Sequence, residues 1–205
     1  MFSGIVERQG RLIRKQRQGK QIALTFETKG LEKPLKRGES ICVNGVCLTV
    51  VSASTKNRFT VHAVPETLAQ TAIGDLRMEE MVNLERSLKW DERIGGHFVL
   101  GHIDGLGRIF RKVSHGKSFA FQIEIPPRVM MAVVPKGSIA VDGVSLTIQK
   151  ISGRFITIAV VPHTAKTTTL GRKKHGDFVN LEADVIAKHL AFLIQNASSK
   201  AAIGR

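Results

Sequence analysis

The stretch SICVNGVCLTV, Ser40 to Val50, returns as SIAVDGVSLTI, Ser138 to Ile148. In each copy an Asn-Gly or Asp-Gly pair separates two short apolar runs, which is the sequence form of a two-residue β-hairpin. Working outward, GRLIRK (Gly10 to Lys15) is answered by GRIFRK (Gly107 to Lys112), VPET (Val64 to Thr67) by VPHT (Val161 to Thr164), and VNLE (Val82 to Glu85) by a second VNLE (Val179 to Glu182). Four matches in one order, offset by 97 or 98 residues, mark a tandem duplication of one small domain. Further runs at Gln21 to Thr28, Phe59 to Val64, Phe119 to Ile125 and Phe155 to Val161 are short and rich in Val, Ile, Thr and Phe. Each half therefore reads as about six strands, and closing them into a barrel removes exposed edges. The fold class is all-β, two similar barrels from an internal duplication.

The 205 residues divide into an N-terminal barrel with linker over 1–96, a C-terminal barrel over 97–186, and a helix and tail over 187–205. Short helices are expected after each VPxT element, at Leu68 to Ile73 and Ala165 to Leu170. The segment Ser87 to Gly96, with its charges and the Gly95-Gly96 pair, suits a linker, and Trp90 within it is expected to pack structurally rather than to touch a ligand. Beyond Asp184, a natural helix cap, Ile186, Leu190, Leu193 and Ile194 repeat at helical spacing. The first half has no such stripe, so it either packs back on its own chain or meets a partner, as in oligomerisation.

No apolar run reaches the roughly 20 residues needed to span a bilayer, and MFSGIVERQG lacks the apolar core of a secretory signal, so a soluble, cytoplasmic protein with no membrane partner is expected. Cys42 and Cys47 flank Asn44-Gly45 and would face each other across the hairpin; they are read as free thiols. The 31 Lys and Arg against 17 Asp and Glu give a net charge of +14. The basic residues are scattered in clusters (Arg14 to Lys20, Lys33 to Arg37, Arg172 to Lys174) without Tyr and with few aromatics among them, so they read as a solvated surface and not as a specific nucleic-acid site.

Neither metal, nucleotide nor catalytic-triad signatures occur: CxxC, HExxH, P-loop and GxSxG are all missing. What the duplication singles out is the strand after each hairpin turn. Cys47 and Thr49 share one face of it, as do Ser145 and Thr147, offering hydrogen-bonding groups at the mouth of each barrel. His102, in GGHFVLGHIDG, stands where Ile5 stands in FSGIVE, among glycines that permit close approach to a ligand; His97 has the same ambiguity with less support. Four paired positions break the symmetry of the halves: Ile5 and His102, Asn44 and Asp142, Cys47 and Ser145, Glu66 and His163.

Taken together, MFSGIVE, NGVCLTV, GGHFVLGHIDG, DGVSLTI, VPHTAKTTTLG and VNLEAD closely resemble the riboflavin synthase family of the alpha-subunit type, through essentially the whole chain and in the family's order. The resemblance implies two six-stranded antiparallel Greek-key barrels, a C-terminal helix through which three chains associate, and one 6,7-dimethyl-8-ribityllumazine held by each barrel. It implies transfer of a four-carbon unit between two lumazines without cofactor or metal, and leaves open an association with lumazine synthase. Carried over residue by residue, Gly4, Ile5 and Val6 match the first-barrel ligand loop, Cys47, Leu48 and Thr49 its strand, and His62, Ala63, Val64, Pro65, Glu66 and Thr67 its ribityl-side segment. Gly101, His102 and Ile103 match the second-barrel loop, and Lys136, Ser145, Leu146 and Thr147 its ring-binding groups. Ala159, Val160, Val161, Pro162, His163 and Thr164 match the second ribityl-side segment, with Ser40, Asp142 and Asp184 as polar positions near the site. His102, Ser145, Cys47 and Thr147 are the expected catalytic groups, with His102 and Ser145 together in the second-half pocket. A non-catalytic lumazine-binding or flavin-binding antenna protein is the alternative. The basic excess is not part of the family pattern.

Overall fold

The computed structural model describes residues 1–31, 34–54, 57–116 and 118–203. Lys33 of one basic cluster and the last residues of the expected tail, Gly204 and Arg205, lie outside the described residues.

The first half contains β1 (Arg8–Gln18), β2 (Gln21–Thr28), β3 (Ser40–Val43), β4 (Val46–Ala53), β5 (Arg58–Ala63), α1 (Pro65–Gln70) and β6 (Met81–Arg86). The second repeats it with β7 (Gly105–His115), β8 (Ser118–Glu124), a turn of helix α2 (Pro127–Met130), β9 (Ser138–Val141), β10 (Val144–Ser152), β11 (Phe155–Val160), α3 (Pro162–Thr167), a 3-10 turn at Thr169–Arg172 and β12 (Phe178–Ala183), followed by α4 (Val185–Ile203). Each set of six strands closes into an antiparallel barrel in the same order, β1-β2-β5-β4-β3-β6 and β7-β8-β11-β10-β9-β12, with the middle hairpin folded between β5 and β6 or β11 and β12 in Greek-key fashion. Alternation decides what fills them. Leu12, Leu24, Phe26, Ile41, Leu48, Val61 and Leu84 pack the first interior, and Ile109, Phe121, Ile123, Ile139, Ile148, Ile158 and Leu181 the second.

Cys42 lies opposite Cys47 across the first hairpin, and both are free thiols. At the hairpin tips, Asn44 and Gly45 have φ of 45° and 84°, and Asp142 and Gly143 46° and 77°, the left-handed pairs a tight two-residue turn requires. The tips stack on each other. A Cβ on Gly45 would lie 2.8 Å from the Gly143 nitrogen, and one on Gly143 the same distance from Gly45. Around this approximate twofold axis, Asn83 donates from Nδ2 to the Asp142 carbonyl (2.9 Å) and Asn180 to the Asn44 carbonyl (2.7 Å). The Asn of each VNLE therefore ties one barrel to the other barrel's turn.

The helices after the VPxT elements start three residues earlier than expected, at Pro65 and Pro162. Proline has no N–H to lose at the first helical position, and extended φ at Thr71 and Thr168 ends each helix. The lysines of GRLIRK and GRIFRK brace the loops beyond these helices: Lys15 Nζ donates to the carbonyls of Gly74 and Leu76, and Lys112 Nζ to those of Gly171 and Lys173. Part of the basic excess is thus structural. Trp90 is fully exposed, so the packing expected of it is not made within the chain. Asp184 Oδ1 accepts from Ile186 N–H at 2.9 Å and caps α4, whose Ile186, Leu190, Leu193 and Ile194 remain more than half exposed. No helix among the described residues is long and apolar enough to cross a membrane.

Candidate functional site

The polar residues of β4 and β10 do not look into the barrels. Along β4, Val46, Leu48 and Val50 are buried inward, while Cys47 is half-buried and Thr49 exposed on the outer face; β10 repeats this with Ser145 and Thr147 outward and Ile148 inward. The expected site at the barrel mouth is thus an outer shelf, because close-packed apolar side chains leave the lumen no room. Register extends each shelf sideways. Ser40 pairs with Thr49, and the Val50 to Val61 pair brings His62 alongside; in the second barrel Ser138 pairs with Thr147, and the Ile148 to Ile158 pair brings Ala159 alongside.

The glycine loops cross over. Gly4 O accepts from Ser145 N–H at 2.8 Å and Gly101 O from Cys47 N–H at 2.9 Å, so the loop at 4–6 docks on the second barrel and the loop at 101–103 on the first. Val6 packs against the second core and Ile103 against the first. This corrects the expected grouping of loop 4–6 with strand 47–49. Glycine is required at both places: a Cβ at Gly4 (φ 76°) would lie 2.6 Å from Ser145 Cβ, and one at Gly101 (φ 81°) would collide with Cys47. Gly95 and Gly96 do more than loosen a linker, since Gly95 abuts Ile5 and Gly96 abuts Ser3 and Ser145.

Each crossed loop is held by the glutamate that ends a VNLE. The Glu85 carboxylate accepts from Ser3 N–H (2.7 Å), Ser3 hydroxyl (2.9 Å) and Gly4 N–H (3.1 Å). Glu182 accepts from the N–H groups of Leu100 (2.8 Å), Gly101 (2.9 Å) and His102 (3.2 Å). Burial pushes the Glu182 carboxyl up to about 7 against these bonds and Lys188, and raises Glu85 as well. Two further carboxylates complete the pattern: Glu7 bonds Arg86 at 2.8 Å and Asp104 bonds Lys188 at 2.9 Å.

His97 is the histidine at Ser145. Its Nδ1 lies 2.7 Å from Ser145 Oγ, its Nε2 is buried without a partner among the described residues, and burial lowers its pKa while Asp184 pulls it back up. The loop carrying His102 is anchored to Cys47 instead, and the His102 side chain is exposed. The expected grouping of His102 with Ser145 is corrected for the same reason as the loops: they cross the axis.

The remaining candidates fall in three places. Lys136 (φ 67°) is exposed on the turn before β9, its N–H bonded to Ile148 O. Val64 to Thr67 and Val161 to Thr164 form the first turns of α1 and α3, where Val64, Pro65, Glu66, Val161, Pro162 and His163 are exposed, while Ala63 and Val160 point inward. Asp142 lies apart from both shelves. It is buried in the seam, 3.2 Å from Lys173, with burial raising its carboxyl and Lys173 opposing that rise. Its counterpart Asn44 carries no charge. The sequence reading missed Glu85, Glu182, Asn83 and Asn180, although the doubled VNLE, with polar residues on an otherwise apolar strand, was the signal.

Residues 3–87 and 100–184 each match the lumazine binding domain family. The sequence is 39% identical to the riboflavin synthase of Actinobacillus pleuropneumoniae, over 98% of this chain and 93% of that protein. It is also 39% identical to the riboflavin synthase of Bacillus subtilis, over 97% of this chain and 92% of that one. Among solved structures, LumP complexed with 6,7-dimethyl-8-(1'-D-ribityl) lumazine aligns with a TM-score of 0.80 and 25% identity, covering 89% of this chain and 99% of LumP.

Proposed function

The chain belongs to the riboflavin synthase family, with a lumazine-binding domain in each half, and from that premise we propose that it turns two molecules of 6,7-dimethyl-8-ribityllumazine into riboflavin and 5-amino-6-ribitylaminouracil. Two substrate molecules contain every atom of the two products, so the reaction is a four-carbon transfer between copies of one compound, of transferase type. The observation that carries the reading is the pair of outer shelves, alike in form and closed by each other's loops, but holding Cys47 in one and Ser145 with His97 in the other. Identical substrates must be treated differently, and these groups supply the difference.

The lumazine 7-methyl protons are acidic because the anion delocalises into the ring, so a modest base and aligned donors suffice. Burial disfavours the charged form of His97 and lowers its pKa, with Asp184 opposing. With the proton on Nδ1 it donates to Ser145 Oγ, leaving the Ser145 hydroxyl proton for a ligand; in the other tautomer Nδ1 accepts the Ser145 proton, leaving Ser145 Oγ to accept one from a ligand. We assign proton transfer and nucleophile addition to the second shelf, and holding of the partner lumazine to the first. Holding two rings face to face can lower the barrier by roughly 7 to 11 kcal/mol.

The reading extends to units 1–96 and 97–186 as the two binding domains, 187–205 as an association segment, a homotrimer in which shelves of neighbouring chains meet, action in the cytoplasm, and docking to lumazine synthase. A carrier that binds without turnover is the second reading, favoured by the likeness to lumazine-bound LumP. Incubation with 6,7-dimethyl-8-ribityllumazine separates the two: loss of lumazine absorbance with growth of riboflavin absorbance supports the synthase, and binding without either change supports the carrier.

A further inference from the structure

Cys42 and Cys47, the only cysteines of the chain, stand opposite each other on β3 and β4. Val43 and Val46 close the two-residue turn as a hydrogen-bonded pair, so the next pair out, Cys42 and Cys47, is a non-hydrogen-bonded one. The backbone agrees, because Cys47 N–H donates to Gly101 O and not across the hairpin. In such a pair the Cα atoms approach to about 4.5 Å with both side chains leaving one face, within the span a disulfide needs. That face is the outer one. Both residues join the seam cluster of Phe2, Val99 and Ala140, with Cys42 Sγ over Gly143 and Cys47 half-exposed. The equivalent pair in the second half is Ala140 and Ser145, which cannot crosslink.

We infer that Cys42 and Cys47 form a reversible disulfide modification site, closed by exchange with a small-molecule disulfide, which withdraws Cys47 from the first shelf. Cys47, the more accessible thiol, loses its proton and attacks the small disulfide, forming a mixed disulfide and expelling one thiolate. Cys42 loses its proton and attacks Cys47 Sγ, forming the internal bond and expelling the second thiolate. Two protein thiols are oxidised, one small disulfide is reduced, and the two protons pass to the expelled thiolates. Burial, with Glu85 and Glu182 nearby, pushes the Cys42 thiol well up, so the second step is slow. A reductant reaching the half-exposed Cys47 sulfur must expel Cys42, a poor leaving group, so the closed form also persists.

The test is full-length protein incubated with oxidised glutathione and followed by intact mass and peptide mapping. The expected result is loss of two hydrogens, a peptide joining Cys42 to Cys47, and reversal by dithiothreitol, while Cys42→Ala, checked as folded by circular dichroism, stops at one glutathione on Cys47. Native protein that stops at that adduct, or stays fully reduced, overturns the inference. The effect on the shelf rests on the proposed function and is read by calorimetry with a non-reactive lumazine analogue: the closed form binds one ligand fewer per chain than the reduced form, and an unchanged stoichiometry overturns the withdrawal. Reduced protein that binds no analogue at all overturns the functional reading, while the mass result still decides the disulfide.

Discussion

Cys47 and Ser145 hold the same place in the two halves and differ by one atom. A hydroxyl is a strong donor and acceptor, whereas a thiol is weak in both roles and becomes a strong nucleophile only as thiolate. Among the described residues, Ser145 alone of the two has a histidine, His97, at hydrogen-bond distance. Ser145→Ala is therefore expected to lower turnover by roughly 10 to 10,000-fold, and Cys47→Ser to be milder, in steady-state assays of variants shown folded by circular dichroism. His97 and Ser145 act as one unit while His102 sits on the other shelf. Adding His97→Ala to Ser145→Ala should thus cost little more, whereas His102→Gln should multiply with it. Near-native turnover in Ser145→Ala with collapse in Cys47→Ser would reverse the roles of the shelves. Of this contrast the sequence disclosed Cys47 and Ser145, because the repeat aligns them. His97 ranked below His102, since the repeat offers it no counterpart and its bond to Ser145 spans 48 residues.

At the scale of elements, strands and hairpins were legible wherever period-two alternation met an Asn-Gly or Asp-Gly turn, as in β3-β4 and β9-β10. The crossing of the loops was not. Nothing local in MFSGIVE says that Gly4 will dock on Ser145; that depends on Glu85, which reaches back over 82 residues to Ser3. A carboxylate on a buried strand end needs several donors, and in β6 and β12 it finds them in the loop it positions. Glu182 carries a pH dependence with a definite sign. Its carboxyl is raised from 4.5 to about 7 by burial, with Lys188 opposing and Asp104 reinforcing, so the stability it lends is fully present below about 4.5 and is lost as pH rises through about 7. Glu182→Gln removes the titration. The thermal midpoint of the native protein should therefore exceed that of the variant most at low pH, with the gap narrowing from pH 5 to 8. A gap that widens over that range would show the carboxylate, not the acid, to be the form that holds loop 100–102.

For the whole molecule, the two barrels interlock at their turns, and the feature left over is α4. The stripe of Ile186, Leu190, Leu193 and Ile194 was legible from its spacing, but what covers it is not a property of one chain. In the structure these side chains, with Phe192, are exposed, and α4 flanks a groove of about 540 Å³ shared with Met131, Ala132 and Val134. A stable subunit contact needs about 800 Å² per partner, which a helix of this length can supply only with neighbouring apolar surface, and this groove provides it. Asp184 caps the same helix and, through its charge, works against the burial that lowers the His97 pKa, so the start of α4 adjoins the second shelf. Deleting 187–205 should leave both barrels folded, since no described residue of that segment belongs to their cores. Light scattering should then report a monomer where a trimer is the expected state of the full chain, and turnover should fall with assembly while circular dichroism keeps its β-signal. A full chain that is monomeric and active at nanomolar concentration would show that each chain brings its two shelves together alone, and would leave the apolar face of α4 to some other partner.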